Sequence, residues 1–313
     1  MQNQFLKYIV IIPFLICSNS LFGQFWFLGQ QSKERYEAAK YVPHASLSFG
    51  VGSSTYVGDL MPASALFPYG IYSTRWNFGV QYMKHFSRHL SYKASLSMIR
   101  IAGDDNYYNY GPSDSEKTFA ANYLRNLHFR NDLKELALMG VYDFKAQTPY
   151  RKKRPHVSPY VFVGVAGIMS NPVAREASAD GKSKGDWVDL RGYSKPSPSL
   201  SGTEDVNYSP FAFAVPVGFG FRFKLEDYVD LGIEFSYRQT FSKYLDDVSD
   251  NRPGMNFTSL TDRSSEMYAA NTLREINKFS TTREIVKSSA FDSYFTTQVQ
   301  LIFHIGKAAG RIN

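Results

Sequence analysis

From His44 onward, apolar and polar residues alternate with a period of two in eight segments. That period puts the two sets on opposite faces of a β-strand. The plainest case is Phe211 to Lys224, where Phe211, Phe213, Val215, Val217, Phe219, Phe221 and Phe223 form one row. The other row is Ala212, Ala214, Pro216, Gly218, Gly220, Arg222 and Lys224, small at first and then basic. The same reading predicts strands over His44 to Tyr56, Tyr72 to Phe86, Leu90 to Arg100 and Phe129 to Phe144. Three more follow over Pro159 to Met169, Asp230 to Ser242 and Ser293 to His304. The segment Pro159 to Met169 leaves its facing open, because Val161, Val163 and Val165 oppose Tyr160 and Phe162.

A soluble sheet would turn the apolar rows to a core, whereas a membrane barrel turns them to lipid and keeps the polar rows inside. Two features favour the barrel. The polar rows carry Lys93, Glu135, Glu234, Arg238, Gln298 and Gln300 opposite apolar rows, in segments about as long as a tilted spanning strand requires. The connections also alternate in length: 57–71, 101–128, 170–210 and 243–292 are long, and 87–89, 147–158 and 226–229 are short. Long loops on one side and short turns on the other are the layout of an outer-membrane barrel. The expected fold is therefore all-β, an eight-stranded antiparallel transmembrane barrel over 44–306 with both termini in the periplasm. Such a barrel has room only for its own side chains. Lys93, Glu135, Glu234 and Arg238 should then pair as barrel-interior charges, with no wide pore. The small residues of Phe211 to Lys224 would make room for Arg238, and Pro216, which donates no ladder bond, predicts a local bulge.

Outside the barrel, residues 1–23 read as a signal peptide. Lys7 precedes an apolar run from Tyr8 to Ile16, about half of the roughly 20 residues a spanning helix needs. Residues 24–43 read as a periplasmic lead-in with one or two helical turns over 32–40, and 307–313 as a periplasmic tail. Cys17, the sole cysteine, falls inside the signal, and bulky Ile16 before it argues against a lipoprotein. A mature chain cut after Gly23 then has no cysteine for disulfides in an oxidising compartment. Aromatics make up 16% of the 313 residues, which suits a β-protein with interfacial aromatics. The net charge of +7 is mild and makes no case for nucleic acid.

Several segments resemble the PorG-type outer-membrane proteins of the type IX secretion system. They are Tyr56-Val57-Gly58-Asp59-Leu60, Arg125-Asn126-Leu127-His128-Phe129-Arg130 with Glu135, and Pro159-Tyr160-Val161-Phe162 with Asn171-Pro172. Gly202-Thr203-Glu204, Val215-Pro216-Val217-Gly218 and Tyr244-Leu245-Asp246-Asp247-Val248-Ser249 complete a set that keeps the family's order. The match departs at Ser242-Lys243, at Asp205 and over Asp250 to Phe291. The resemblance implies an eight-stranded barrel that anchors the periplasmic ring of the secretion machine, including its lipoprotein, to the outer membrane. A stand-alone barrel of the OmpA/OmpX-like kind, with a structural, porin-like or adhesion role through its long loops, is the alternative.

The densest charge cluster is Arg151-Lys152-Lys153-Arg154, framed by Pro149 and Pro155 at the expected periplasmic rim. It either touches anionic lipid headgroups or docks an acidic surface of a periplasmic partner. Asp104-Asp105 and Asp246-Asp247 begin long loops without the spacing of a calcium loop, and read as caps. The six histidines, His44, His85, His89, His128, His156 and His304, show no metal-ligand spacing. His128 with Asp132 or Ser115 could be drawn as a base near a nucleophile, as could almost any loop pair. Gly-x-Ser-x-Gly, HExxH and phosphate-loop motifs are absent from the sequence. A non-enzymatic protein is expected, with no cofactor or metal, whose partners are outer-membrane lipids and periplasmic ring proteins.

Overall fold

The computed structural model describes residues 43–110, 127–147, 154–177, 184–190, 209–246 and 291–305. Eight long strands dominate: β1 (His44–Val57), β2 (Arg75–His85), β3 (Leu90–Asp104), β4 (His128–Asp143), β5 (Val157–Met169), β8 (Phe211–Lys224), β9 (Val229–Thr240) and β10 (Ser293–Ile305). All neighbours pair antiparallel in the order β1-β2-β3-β4-β5-β8-β9-β10, and β10 returns to β1. The first and last strands close the sheet, from Ala45 opposite Ile305 to Val57 opposite Ser293. Closure removes the edges that an open sheet would expose. The chain forms an eight-stranded antiparallel β-barrel, and among the described residues no helix is long and apolar enough to cross a membrane.

The pleat sorts the side chains. Phe49, Val51, Leu96, Leu136, Leu138, Phe213 and Leu301 face outward and are exposed, while Ser48, Lys93, Ser95, Glu135, Glu234, Arg238 and Gln300 face inward and are buried. In β5 the valines are the outward set and Tyr160 and Phe162 the inward one. This inverts a soluble sheet, as hydrocarbon around the barrel demands.

The long connections carry structure that the alternation did not predict. Between β1 and β2 lie a short 3-10 turn (Ala63–Ala65) and helix α1 (Leu66–Ser73). Tyr72 and Ser73, expected in a strand, end this helix. Thr74 Oγ1 meets Gly70 O at 2.8 Å and Thr55 Oγ1 at 3.1 Å, which ties the helix end to β1. A second 3-10 segment (Asp105–Tyr110) follows β3. Between β5 and β8, β6 (Pro172–Ala177) and β7 (Lys184–Asp189) form a hairpin attached to the start of β4 at Arg130 and Asn131.

Two local expectations change. Pro216 makes no bulge, since β8 keeps one register with β9 from Ala214 opposite Thr240 to Lys224 opposite Asp230. Its missing N–H falls on the β5 side, where the ladder skips Gly164 and Val165 and resumes in the same register. Two of the small residues of β8, Gly218 and Gly220, make room for aromatic rings rather than for Arg238. Gly218 and Gly220 lie opposite Phe162 and Tyr160, and an added Cβ would meet those rings at 2.4 and 2.5 Å. Glycine is needed there because an aromatic ring lies over its backbone.

Candidate functional site

The barrel offers three places where chemistry collects: the mid-lumen, the end with the long connections and the end with the short turns. Strand alternation brings Lys93, Glu135, Glu234 and Arg238 inside from β3, β4 and β9. Lys93 Nζ donates to Glu234 Oε2 at 2.7 Å, and Tyr160 Oη donates to the same oxygen at 2.9 Å. Arg238 grips Glu135 with two N–H donors at 2.8 and 3.1 Å and donates a third bond to Thr296. Tyr294 Oη completes Glu135 at 2.7 Å. Gln81, Gln298 and Asn77 continue the network, Gln298 taking a bond at 3.0 Å and giving one at 2.7 Å. Buried charges persist when paired and hydrogen-bonded on all sides. These four charges therefore neutralise one another across the barrel.

The described residues at the long-loop end gather into an apolar plug. Leu60, Met61, Ala65 and Tyr69 come from the β1–β2 connection, Leu127 from before β4, Leu190 from after β7 and Leu245 from after β9. Each long connection thus lends residues to one cluster, together with inward residues such as Ile101, Phe129 and Leu133. Polar groups beside it are tied down. Tyr56 Oη donates toward Asp246 and Asp292, each at 2.7 Å, and accepts from Asp59 N at 3.0 Å. Leu245 N donates to Asp292 at 3.0 Å, and Asn131 Nδ2 donates to Leu245 O at 2.8 Å. Burial, with the carboxylates of Asp246 and Asp59 nearby, raises the Asp292 carboxyl well above the usual range. Gly58 matters here by close approach, because a Cβ would meet Tyr56 Oη at 1.9 Å. Asp104 and Asp105 cap as expected, accepting from Asn106 N at 2.8 Å and Leu127 N at 2.9 Å. Asp247 lies outside the described residues, as does Ser115. Asp132 pairs with Arg100, and His128 Nε2 accepts from Arg175 N at 3.0 Å, so neither forms a catalytic pair with the other.

The short-turn end is closed by charge. Of the basic connector, Arg151, Lys152 and Lys153 lie outside the described residues, and Arg154 is buried rather than displayed at the rim. Its guanidinium reaches Asp230 at 2.5 Å and the carbonyls of Glu226 and Asp227 at 3.1 Å. The β8–β9 turn thus supplies acceptors that draw Arg154 inward, a pairing the linear sequence did not disclose. Arg222 Nη2 lies 2.7 Å from Asp143. His44, His85 and His304 also meet here, with one ring nitrogen of each within 4.8 Å of the others. Spacing along the chain could not find this group, since its members come from β1, β2 and β10 and only barrel closure joins them.

A family model described as "Outer membrane protein beta-barrel domain" matches residues 35–261. No curated protein matches the chain in sequence. Solved structures with some likeness include Neisserial surface protein A, at 9% identity and a TM-score of 0.39, covering 83% of this chain and 96% of that one. The attachment invasion locus protein Ail of Yersinia pestis shows 10% identity and a TM-score of 0.36 over 84% of this chain and 99% of its own. OprG of Pseudomonas aeruginosa shows 7% identity and a TM-score of 0.37 over 85% of this chain and 99% of its own. At these scores the likenesses add nothing to the family match, which spans most of the barrel.

Proposed function

Since the chain belongs to the outer membrane protein beta-barrel domain family, we propose that it is an outer-membrane subunit of the type IX secretion system that holds a periplasmic ring complex at the membrane. The observation that carries this reading is where the segments resembling PorG-type proteins meet. Leu60, Leu127 and Leu245 come from three of those segments and are buried in one apolar cluster. Tyr56 and Asp246, from two of them, share a hydrogen bond, and Asn171 N donates at 3.0 Å to Asn131, the neighbour of a third. Strand topology brings every long connection to the long-loop end, so these contacts support the reading together with the order the segments keep along the chain. The proposed role is mechanical rather than enzymatic: outward apolar rows fix depth, the paired lumen charges give stiffness, and the short-turn end faces the periplasm.

Within this reading the docking patch is Arg151, Lys152 and Lys153. Arg154 roots the connector in the barrel wall through Asp230. The test is recovery of large periplasmic proteins with the barrel from detergent-solubilised membranes. Wild type should bring them down, and replacing Arg151, Lys152 and Lys153 by Gln should reduce their recovery. A wild-type barrel that comes down alone removes the secretion reading, and unchanged recovery with the triple variant removes the docking patch.

A second reading, a stand-alone barrel working through its long-loop end, is favoured by a cationic aromatic patch. Arg100 stacks on Trp76 at 4.7 Å, and Arg130 and Arg175 stack on Trp187 at 4.1 and 4.7 Å. Such a patch suits anionic groups at a cell surface. A barrel that comes down alone in the same experiment fits this reading.

A further inference from the structure

We propose that His44, His85 and His304 bind one divalent ion of the zinc class and staple the seam where the barrel closes. The three side chains project inward at the short-turn mouth from β1, β2 and β10, with one ring nitrogen of each within 4.8 Å of the others. The His44 and His85 rings are 4.4 Å apart, and His304 lies 5.7 Å from His44 and 6.3 Å from His85. Nitrogens bound to one zinc at about 2.0–2.1 Å lie closer together than the 4.8 Å span found here, so the stacked His44 and His85 rings must part and all three must turn about χ2 to close on the ion.

The surroundings set the protonation that a ligand needs. His85 Nδ1 lies 2.7 Å from Ser91 Oγ, while His85 Nε2 has no hydrogen-bond partner although the residue is almost fully buried. His304 Nε2 lies 2.7 Å from Asp230 Oδ2, while His304 Nδ1 has no hydrogen-bond partner. A proton on the partnered nitrogen leaves a lone pair on the other, directed away from Ser91 or Asp230. Metal-binding histidines commonly give their second N–H to a carboxylate or another acceptor in this way. Arg154 also reaches His304 Nε2, at 2.7 Å, so the metal-bound form requires that nitrogen to donate to Asp230 and Arg154 to stay on the carboxylate. Arg154 and Arg222 each have an aspartate at contact distance, Asp230 and Asp143, so the mouth already balances its fixed charge. Three neutral imidazoles suit zinc, copper or nickel and not calcium or magnesium, and a water would complete a tetrahedral zinc site.

The position states the role. β1 and β10 meet only on closure, and β2 flanks β1. An ion held by all three ties the first, second and last strands together, and binding energy for the folded form becomes stability of the closed barrel.

The test uses the untagged, full-length barrel, folded in detergent and freed of metal by chelation. Zinc titrated into wild type should bind at one equivalent and raise the temperature at which heat-modifiable gel migration is lost. Cobalt in its place should give the visible absorption of a four-coordinate site of three nitrogens and a water, displaced by zinc and absent from the urea-unfolded chain. His85→Ala and His304→Ala should each weaken zinc binding more than ten-fold, Ser91→Ala should weaken it about ten-fold, and His156→Ala, outside the group, should leave it unchanged. Calcium and magnesium should do nothing. Failure of the folded wild type to bind zinc stoichiometrically overturns the proposal even if a variant does not fold. So does undiminished binding in folded His85→Ala and His304→Ala.

Discussion

At the long-loop end, Leu60, Leu127, Leu190 and Leu245 build a core of the kind a soluble protein uses. At the short-turn end, Arg154, Asp230, His304, Arg222 and Asp143 fill the mouth with paired charges and imidazoles. The difference follows from chain length. Long connections have residues to spare and must hold their backbone together in water, so they gather apolar side chains. Short turns have few to spare, so the mouth is filled by long polar side chains from the strand ends and, in Arg154, from the connector before β5. One end should therefore respond to loss of apolar volume, and the other to loss of a charge partner.

The largest effect is expected at the charged end. Arg154→Met leaves Asp230 buried without its guanidinium, which costs about 3–5 kcal/mol. Urea unfolding in lipid vesicles should show the loss, and Arg154→Met with Asp230→Leu should recover most of it; a single variant as stable as wild type would break the comparison. Leu60→Ala at the other end opens a cavity in the plug and should cost about 2–5 kcal/mol. Limited proteolysis should show the cut confined to the long connections, with the barrel strands protected. Tyr56→Phe removes the hydroxyl shared by Asp246 and Asp292 and should cost about 1–3 kcal/mol. The smallest effect is expected from the half-exposed Arg100–Asp132 pair, where Asp132→Asn should cost about 0.2–1 kcal/mol and less in high salt.

Acid should separate the two ends. The Asp292 carboxyl is raised by burial, by Asp246 and by Asp59, so the folded plug prefers it protonated. A raised value means that the stability it contributes is complete below the ordinary carboxylate range and is lost as pH climbs through the raised value. Proteolytic protection of the long connections should thus increase on mild acidification. Asp292→Asn, which mimics the protonated group, should flatten that dependence and leave the plug at least as resistant at neutral pH. A wild type whose loops loosen on the same acidification would reverse the sign.

The strands were legible because each must show one face to hydrocarbon and another to a polar interior, which writes a period of two into the chain. The long connections carry no such constraint. Nothing in the alternation marks α1 or the β6–β7 hairpin, and the residues of the plug recur at no period. Leu60, Leu127 and Leu245 were singled out only as members of segments resembling a known family. The glycines of β8 were visible as small residues, but the rings they receive, Tyr160 and Phe162, sit on a strand whose facing the sequence left open. Pro216 shows that a ladder can lose a donor and keep its register. The histidine group was hidden for the strongest reason: it exists only when residue 304 returns beside residue 44.

Which face of each strand meets lipid decides the whole architecture. Spin labels on cysteines placed singly at Val163, Val299 and Leu301, and at Ser48, Gln298 and Gln300, in a Cys17→Ser background, test this in vesicles. Labels on the first three should relax strongly with lipid-soluble oxygen, and labels on the last three should be shielded from it. Equal oxygen exposure of both sets, or greater exposure of the Ser48, Gln298 and Gln300 positions, would contradict the barrel as described.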